Sequence, residues 1–188
     1  KASLLREIEH VEGVARVSAS VSALLDKEIP AVSMGNIPTI QAEDGRAKGF
    51  EKFVFGYTAG RELRNTDVGK VALGADLVKR LNAAVGGHVE IRGKRYEVVG
   101  IASKHVFVAR VYMDYTAFGK LTGRLNQVDL VRVRASANAI SDSGQQRAIA
   151  DKLEERFKNA GLSNNPATTQ DQFYAMFTDV FNIILVVL

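Results

Sequence analysis

Two hydrophobic periods alternate along this chain, and they are most sharply separated over residues 71–101, VALGADLVKRLNAAVGGHVEIRGKRYEVVGI. The apolar positions Leu77, Val78, Leu81 and Val85 follow the stripe of a helix that packs one face. Asp76 stands near its start and Lys79 and Arg80 further along, as the helix dipole favours. Gly86-Gly87 is the expected stop, because glycine accepts the left-handed backbone of a helix terminus. Two extended runs follow, 88–92 and 95–101, joined at Gly93-Lys94 by a two-residue turn. That turn predicts Arg92 opposite Arg95, Ile91 opposite Tyr96, Glu90 opposite Glu97 and Val89 opposite Val98. One hairpin face is then Val89, Ile91, Tyr96 and Val98; the other carries Glu90, Arg92, Arg95 and Glu97 and is read as solvated.

The same reasoning extends to both sides. Leu4, Leu5, Ile8 and Val11 space as one helix face, with Gly13 as the stop. Val17, Ala19, Val21 and Ala23 alternate with Ser18, Ser20 and Ser22, which is a strand with a small apolar face suited to close helix packing. Residues 29–39 hold two of the three prolines and read as loop or edge strand. The region 105–112 is a strand, 115–121 one or two helical turns closed by Gly123, and Val128, Leu130, Val131 and Val133 a strand with Arg132 and Arg134 on its open side. Asp142 and Ser143 are capping candidates for a helix carrying Ile149, Leu153 and Phe157, ended by Gly161. Thr169 with Gln172 has the capping-box spacing.

An apolar stretch then runs from Phe173 to the final IILVVL. A docked amphipathic helix and the first turns of a transmembrane helix both fit it. The second is favoured, because a helix packed on a domain normally carries polar residues or a cap in its last turns. The chain opens on Lys1 rather than Met, and is expected to belong to something longer.

Composition narrows the chemistry. The 188 residues include no cysteine, which removes disulfides and thiolate chemistry. The net charge of +4 comes from 25 basic residues scattered among 21 acids, so no massed basic field for nucleic acid is present. His10, His88 and His105 fall in separate elements, with no HExxH spacing. No GxSxG elbow, GxxxxGK[ST] loop or GxGxxG loop occurs. No catalytic, cofactor-binding or metal-binding residue is therefore assigned. The remaining candidate is an aromatic cluster, Phe50, Phe53, Phe55 and Tyr57, read as core or junction packing or as a partner or ligand surface.

Gly60-Arg61 with Asp67 downstream, then VALGADLVKRL, VGGHVEIRGKRYEVVGI, VYMDYTAFGKLTG and VDLVRVRA, resemble in order and spacing the extracytoplasmic core domain of MacB/FtsX-type ABC-transporter permeases over about residues 4–172. Gly87 stands where that family often has an acidic residue and Asp114 where it often has proline, which leaves the subfamily open. The resemblance implies an α+β, two-lobed fold: an α/β (porter-like) lobe from residues 1–64 and 126–172, with a β-rich (sabre-like) lobe, 65–125, inserted between. Residues 173–188 would begin a transmembrane helix. It also implies a non-enzymatic domain outside the cell membrane, periplasmic or extracellular, coupling ATP hydrolysis by a separate cytoplasmic ATPase to movement or extrusion of a substrate or to a partner protein. Such permeases form dimers, homodimeric or heterodimeric, and some work with a membrane-fusion or other extracytoplasmic partner; no cofactor or nucleic acid is implied. The competing expectation is a free-standing extracytoplasmic module that binds cell-wall or anionic ligands.

Overall fold

The computed structural model describes residues 2–25, 37–43, 56–64, 66–103, 109–161, 167–169, 171–172 and 175. The elements in chain order are α1 (Ala2–Glu9), β1 (Val14–Leu24), β2 (Thr39–Glu43), β3 (Tyr57–Gly60), β4 (Lys70–Gly74), α2 (Ala75–Val78), β5 (His88–Ile91), β6 (Lys94–Ala102), β7 (Arg110–Asp114), α3 (Tyr115–Thr122), β8 (Leu130–Ala135) and α4 (Ser143–Asn159). The fold is mixed α+β, with one eight-stranded sheet. The chain divides into two compact units, Ser18–Arg132 and the pair of end segments Ala2–Val17 and Val133–Leu188.

The sheet order is β3-β6-β4-β7-β2-β1-β8, with β5 added on β6; strands β2 to β7 lie wholly in the first unit. Parallel pairs β2–β7 and β4–β6 sit among antiparallel ones, so the sheet is mixed. Strand β6 organises one side of it. Its first half takes β5, its second half takes β3, and β4 runs alongside in parallel. A bulge at Val99 offsets the β4–β6 ladder: Val71 faces Val98, but Ala72 faces Gly100. Leu77 of α2 and Phe118 of α3 enter one core with Ile40, Val71, Leu73, Ile91, Val98 and Val111, all fully or almost fully buried. The hydrophobic effect drives this burial, at roughly 25 cal/mol per Å² of apolar surface.

The second unit is built from the two ends. Leu5, Ile8 and Val11 are buried, as are Ile149, Ala150 and Leu153 of α4. The α1 end and α4 are stitched by Arg156 Nη1 donating to the Glu7 carbonyl at 3.2 Å and by Lys152 Nζ to Glu12 at 3.1 Å. Asp142 caps α4, accepting from the Gln145 amide at 2.9 Å, as its position predicts. Thr169 and Gln172 make the reciprocal bonds of a capping box.

Several sequence expectations change. The helix expected from Leu77 to the double glycine is only Ala75–Val78. Asn82 adopts a left-handed conformation, φ 46°, which ends helical propagation. Beyond it Gly86 donates to the Val98 carbonyl and Val98 to the Gly87 carbonyl, so this backbone is drawn into pairing with β6 instead. The hairpin register also differs: Ile91 faces Lys94, Glu90 faces Arg95, Val89 faces Tyr96 and His88 faces Glu97. The turn is therefore Arg92-Gly93, with φ 49° and 74°, the positive pair of a type I′ turn that matches strand twist. This register places Glu90 directly against Arg95, where the other opposed like charges. Both registers leave Val89, Ile91, Tyr96 and Val98 on one face, and all four are buried. Arg132 is not on an open side: its guanidinium meets Glu43 at 2.8 Å.

Candidate functional site

The segment 56–67 joins the one described aromatic candidate to the Gly60-Arg61…Asp67 pattern. Strand β3 ends at Gly60, φ 70°, where a Cβ would lie 2.3 Å from the Val99 carbonyl oxygen. Across the pair, a Cβ on Gly100 would lie 2.1 Å from the Arg61 carbonyl oxygen and 2.9 Å from two ring carbons of Tyr57. Two glycines thus let two backbones cross closer than any side chain permits. The Arg61 amide donates to the Val99 carbonyl at 3.0 Å, using the bulge to fix that crossing.

Beyond it the Arg61 guanidinium grips Asp67 with two parallel bonds, 2.6 and 2.8 Å, and Asp67 also accepts from the Arg64 amide at 2.7 Å. Asp67 is buried and Arg61 partly exposed. The Arg61 hydrogen bonds hold the carboxyl well below the usual carboxylate range against the opposing effect of burial.

Tyr57 is half-buried on Gly100. Burial pushes its phenol up to about 12, with a bond from the Leu63 backbone acting in the other direction. It stays neutral under ordinary conditions. Phe50, Phe53 and Phe55 lie outside the described residues.

A second cluster was not anticipated from sequence. Asp129, just before β8, accepts from the Ser22 amide at 2.8 Å and pairs with Arg124, which also donates to the Ser22 carbonyl at 2.6 Å. Burial raises the Asp129 carboxyl, but the Arg124 and Ser22 bonds leave it below its ordinary value. The only sequence signal was an acid at the start of VDLVRVRA, and nothing local links it to Ser22, 107 residues away. Asp114 was likewise noted only as a departure from proline, whereas its carboxylate caps α3 by accepting from the Ala117 amide at 2.9 Å.

These charged clusters each pin a loop to the sheet. His10 bonds the Arg6 carbonyl within the α1 region, His88 opens β5, and His105 is outside the described residues. Among the described residues, no three His, Cys, Asp or Glu side chains gather where a metal ion would fit. No helix among them is long and apolar enough to cross a membrane.

The fold is shared with extracytoplasmic domains of ABC-type transporters. The periplasmic region of MacB from Actinobacillus actinomycetemcomitans superposes with a TM-score of 0.59 at 14% identity, covering 83% of this chain and 73% of that one. The extracellular domain of the noncanonic ABC-type transporter YknZ from Gram-positive bacteria superposes at 0.58 with 19% identity, covering 86% and 84%. No curated protein matches the sequence. Residues 1–153 match the family described as the MacB-like periplasmic core domain, and the chain belongs to that family.

Proposed function

We propose that this chain is the extracytoplasmic domain of an ABC-transporter permease, and that it couples ATP hydrolysis by a cytoplasmic ATPase to the movement or extrusion of a substrate, or to a partner protein, outside the membrane. The family match over residues 1–153 carries this reading. In this reading residues 173–188 begin a transmembrane helix, the permease works as a dimer, and an α/β lobe of 1–64 and 126–172 carries an inserted lobe of 65–125. The partner surface is the aromatic set Phe50, Phe53, Phe55 and Tyr57. The domain itself performs no chemistry.

The absence of cysteine in the chain offers a direct test. A Lys94→Cys substitution at the exposed hairpin is introduced into the full-length permease, expressed with its ATPase. A membrane-impermeant maleimide should label it in intact cells or from the periplasm. Spin labels at this position in the two copies should change their separation between nucleotide-free and ATP-bound states. Labelling only after the cytoplasm is opened would overturn the location. An unchanged separation would overturn the coupling.

A further inference from the structure

Arg92 occupies the first central position of the β5–β6 turn with φ 49°, where asparagine, aspartate or glycine is the easier residue. A side chain kept in that place has a use beyond the turn, and the structure shows a long-range contact made by it. The guanidinium reaches 67 and 68 residues back along the sequence, donating from Nη2 to the Leu24 carbonyl at 2.5 Å and from Nε towards the Leu25 carbonyl at 3.4 Å. Both carbonyls lie where β1 ends and the chain leaves the sheet. An independent observation joins the same two places: Leu25, 2% exposed, shares the core cluster with Val89, Ile91 and Tyr96 of the hairpin.

We propose that Arg92 is a latch, a positioning residue that fastens the hairpin tip to the end of β1 so that the two move as one body. A charged fork on two carbonyls suits this task, since each bond is charge-assisted while the side chain remains partly solvated and releasable. β5 is the short strand most dependent on it, being a four-residue addition to one edge of β6. With the latch open, β5 and the last residues of β1 would become separate local opening units. This inference stands apart from the transport reading, and its test needs no ATPase.

The test is hydrogen exchange followed by NMR on the chain and on two variants. Arg92→Asn keeps or improves the turn but removes the fork; Arg92→Lys keeps the charge but not the paired donors. The expected result for Arg92→Asn is an unchanged or higher melting temperature. Alongside it, exchange should be about 10- to 100-fold faster at the amides of β5 and of residues 23–25, and unchanged in β4 and β7. Arg92→Lys should fall between. Two outcomes overturn the latch: unchanged exchange at both places in Arg92→Asn, or a uniform acceleration of all amides with a fall in melting temperature, which is loss of global stability only.

Discussion

Replacing Gly100 with alanine should be among the most damaging single-methyl additions to this chain. The new Cβ would lie 2.1 Å from the Arg61 carbonyl oxygen and 2.9 Å from the Tyr57 ring. The ring can shift, but the carbonyl is backbone, and Arg61 is held by its own amide on Val99 and its guanidinium on Asp67. Strands β3 and β6 must therefore part. Overpacking of this kind costs about 1–3 kcal/mol, with a backbone clash at the upper end, and losing the Arg61–Val99 bond adds about 1 kcal/mol. The stiffer unfolded chain returns roughly 0.4–1 kcal/mol. The net is about 3 kcal/mol, which for a chain of this size lowers Tm by about 6–12 °C. Thermal unfolding followed by circular dichroism measures it. Gly123→Ala is the reference: its φ is 72° but nothing lies within 4 Å of the added carbon, so only backbone strain of about 1–2 kcal/mol applies. If Gly100→Ala melts within 2 °C of the parent, or no lower than Gly123→Ala, the close crossing does not exist as described.

Four further outcomes are expected. Asp67→Asn should lower Tm by several degrees at pH 7; because the folded carboxyl titrates below its unfolded value of about 3.9, its stabilisation is complete above that pH and is lost as pH falls below it, so the two melting curves should converge in acid, and parallel curves from pH 7 to 2 would contradict the clamp. Phe118→Ala, at a fully buried site, should cost about 3–5 kcal/mol by urea denaturation, and a loss under 1 kcal/mol would remove Phe118 from the core. Asp114→Ala should cost about 1 kcal/mol through the lost α3 cap, read as a Tm decrease of about 2–4 °C, while Asp114→Ser should restore most of it. Arg95→Glu should destabilise the hairpin by about 0.2–1 kcal/mol by opposing Glu90, and reversal by Glu90→Arg in the same chain fixes the register; no recovery would favour the alternative pairing.

Much of the fold is written in local patterns. The α4 helix, its Asp142 cap, the strand β1 and the buried face of the β5–β6 hairpin all follow from periodicity and capping chemistry, because the information lies within a few residues. The short strand β2 was not legible: Ile40 and Ala42 alternate over only five residues, and their burial depends on β1 and β7, far away in sequence. The candidate site was legible unevenly. Gly60, Arg61 and Asp67 stood out as a spaced set, yet why they belong together appears only when Gly100 and Val99 of β6 come alongside.

By itself, then, the sequence determined the inward faces of α4, β1 and the β5–β6 hairpin, the cap of α4, and the family to which the ordered motifs belong. Period and composition are properties of neighbours, and neighbours are what a sequence displays. Tertiary structure alone decided the rest. Residues 71–101 began as helix, glycines and hairpin; packing shortened the helix, moved the turn to Arg92-Gly93 and drew Gly86 and Gly87 into pairing with β6. It also turned Arg92 from a solvated charge into an anchor, and gave Arg61 and Asp129 the same role. The reason is geometric: a charge reads the same in solvent and in a clamp until the distant carbonyl or carboxylate arrives beside it.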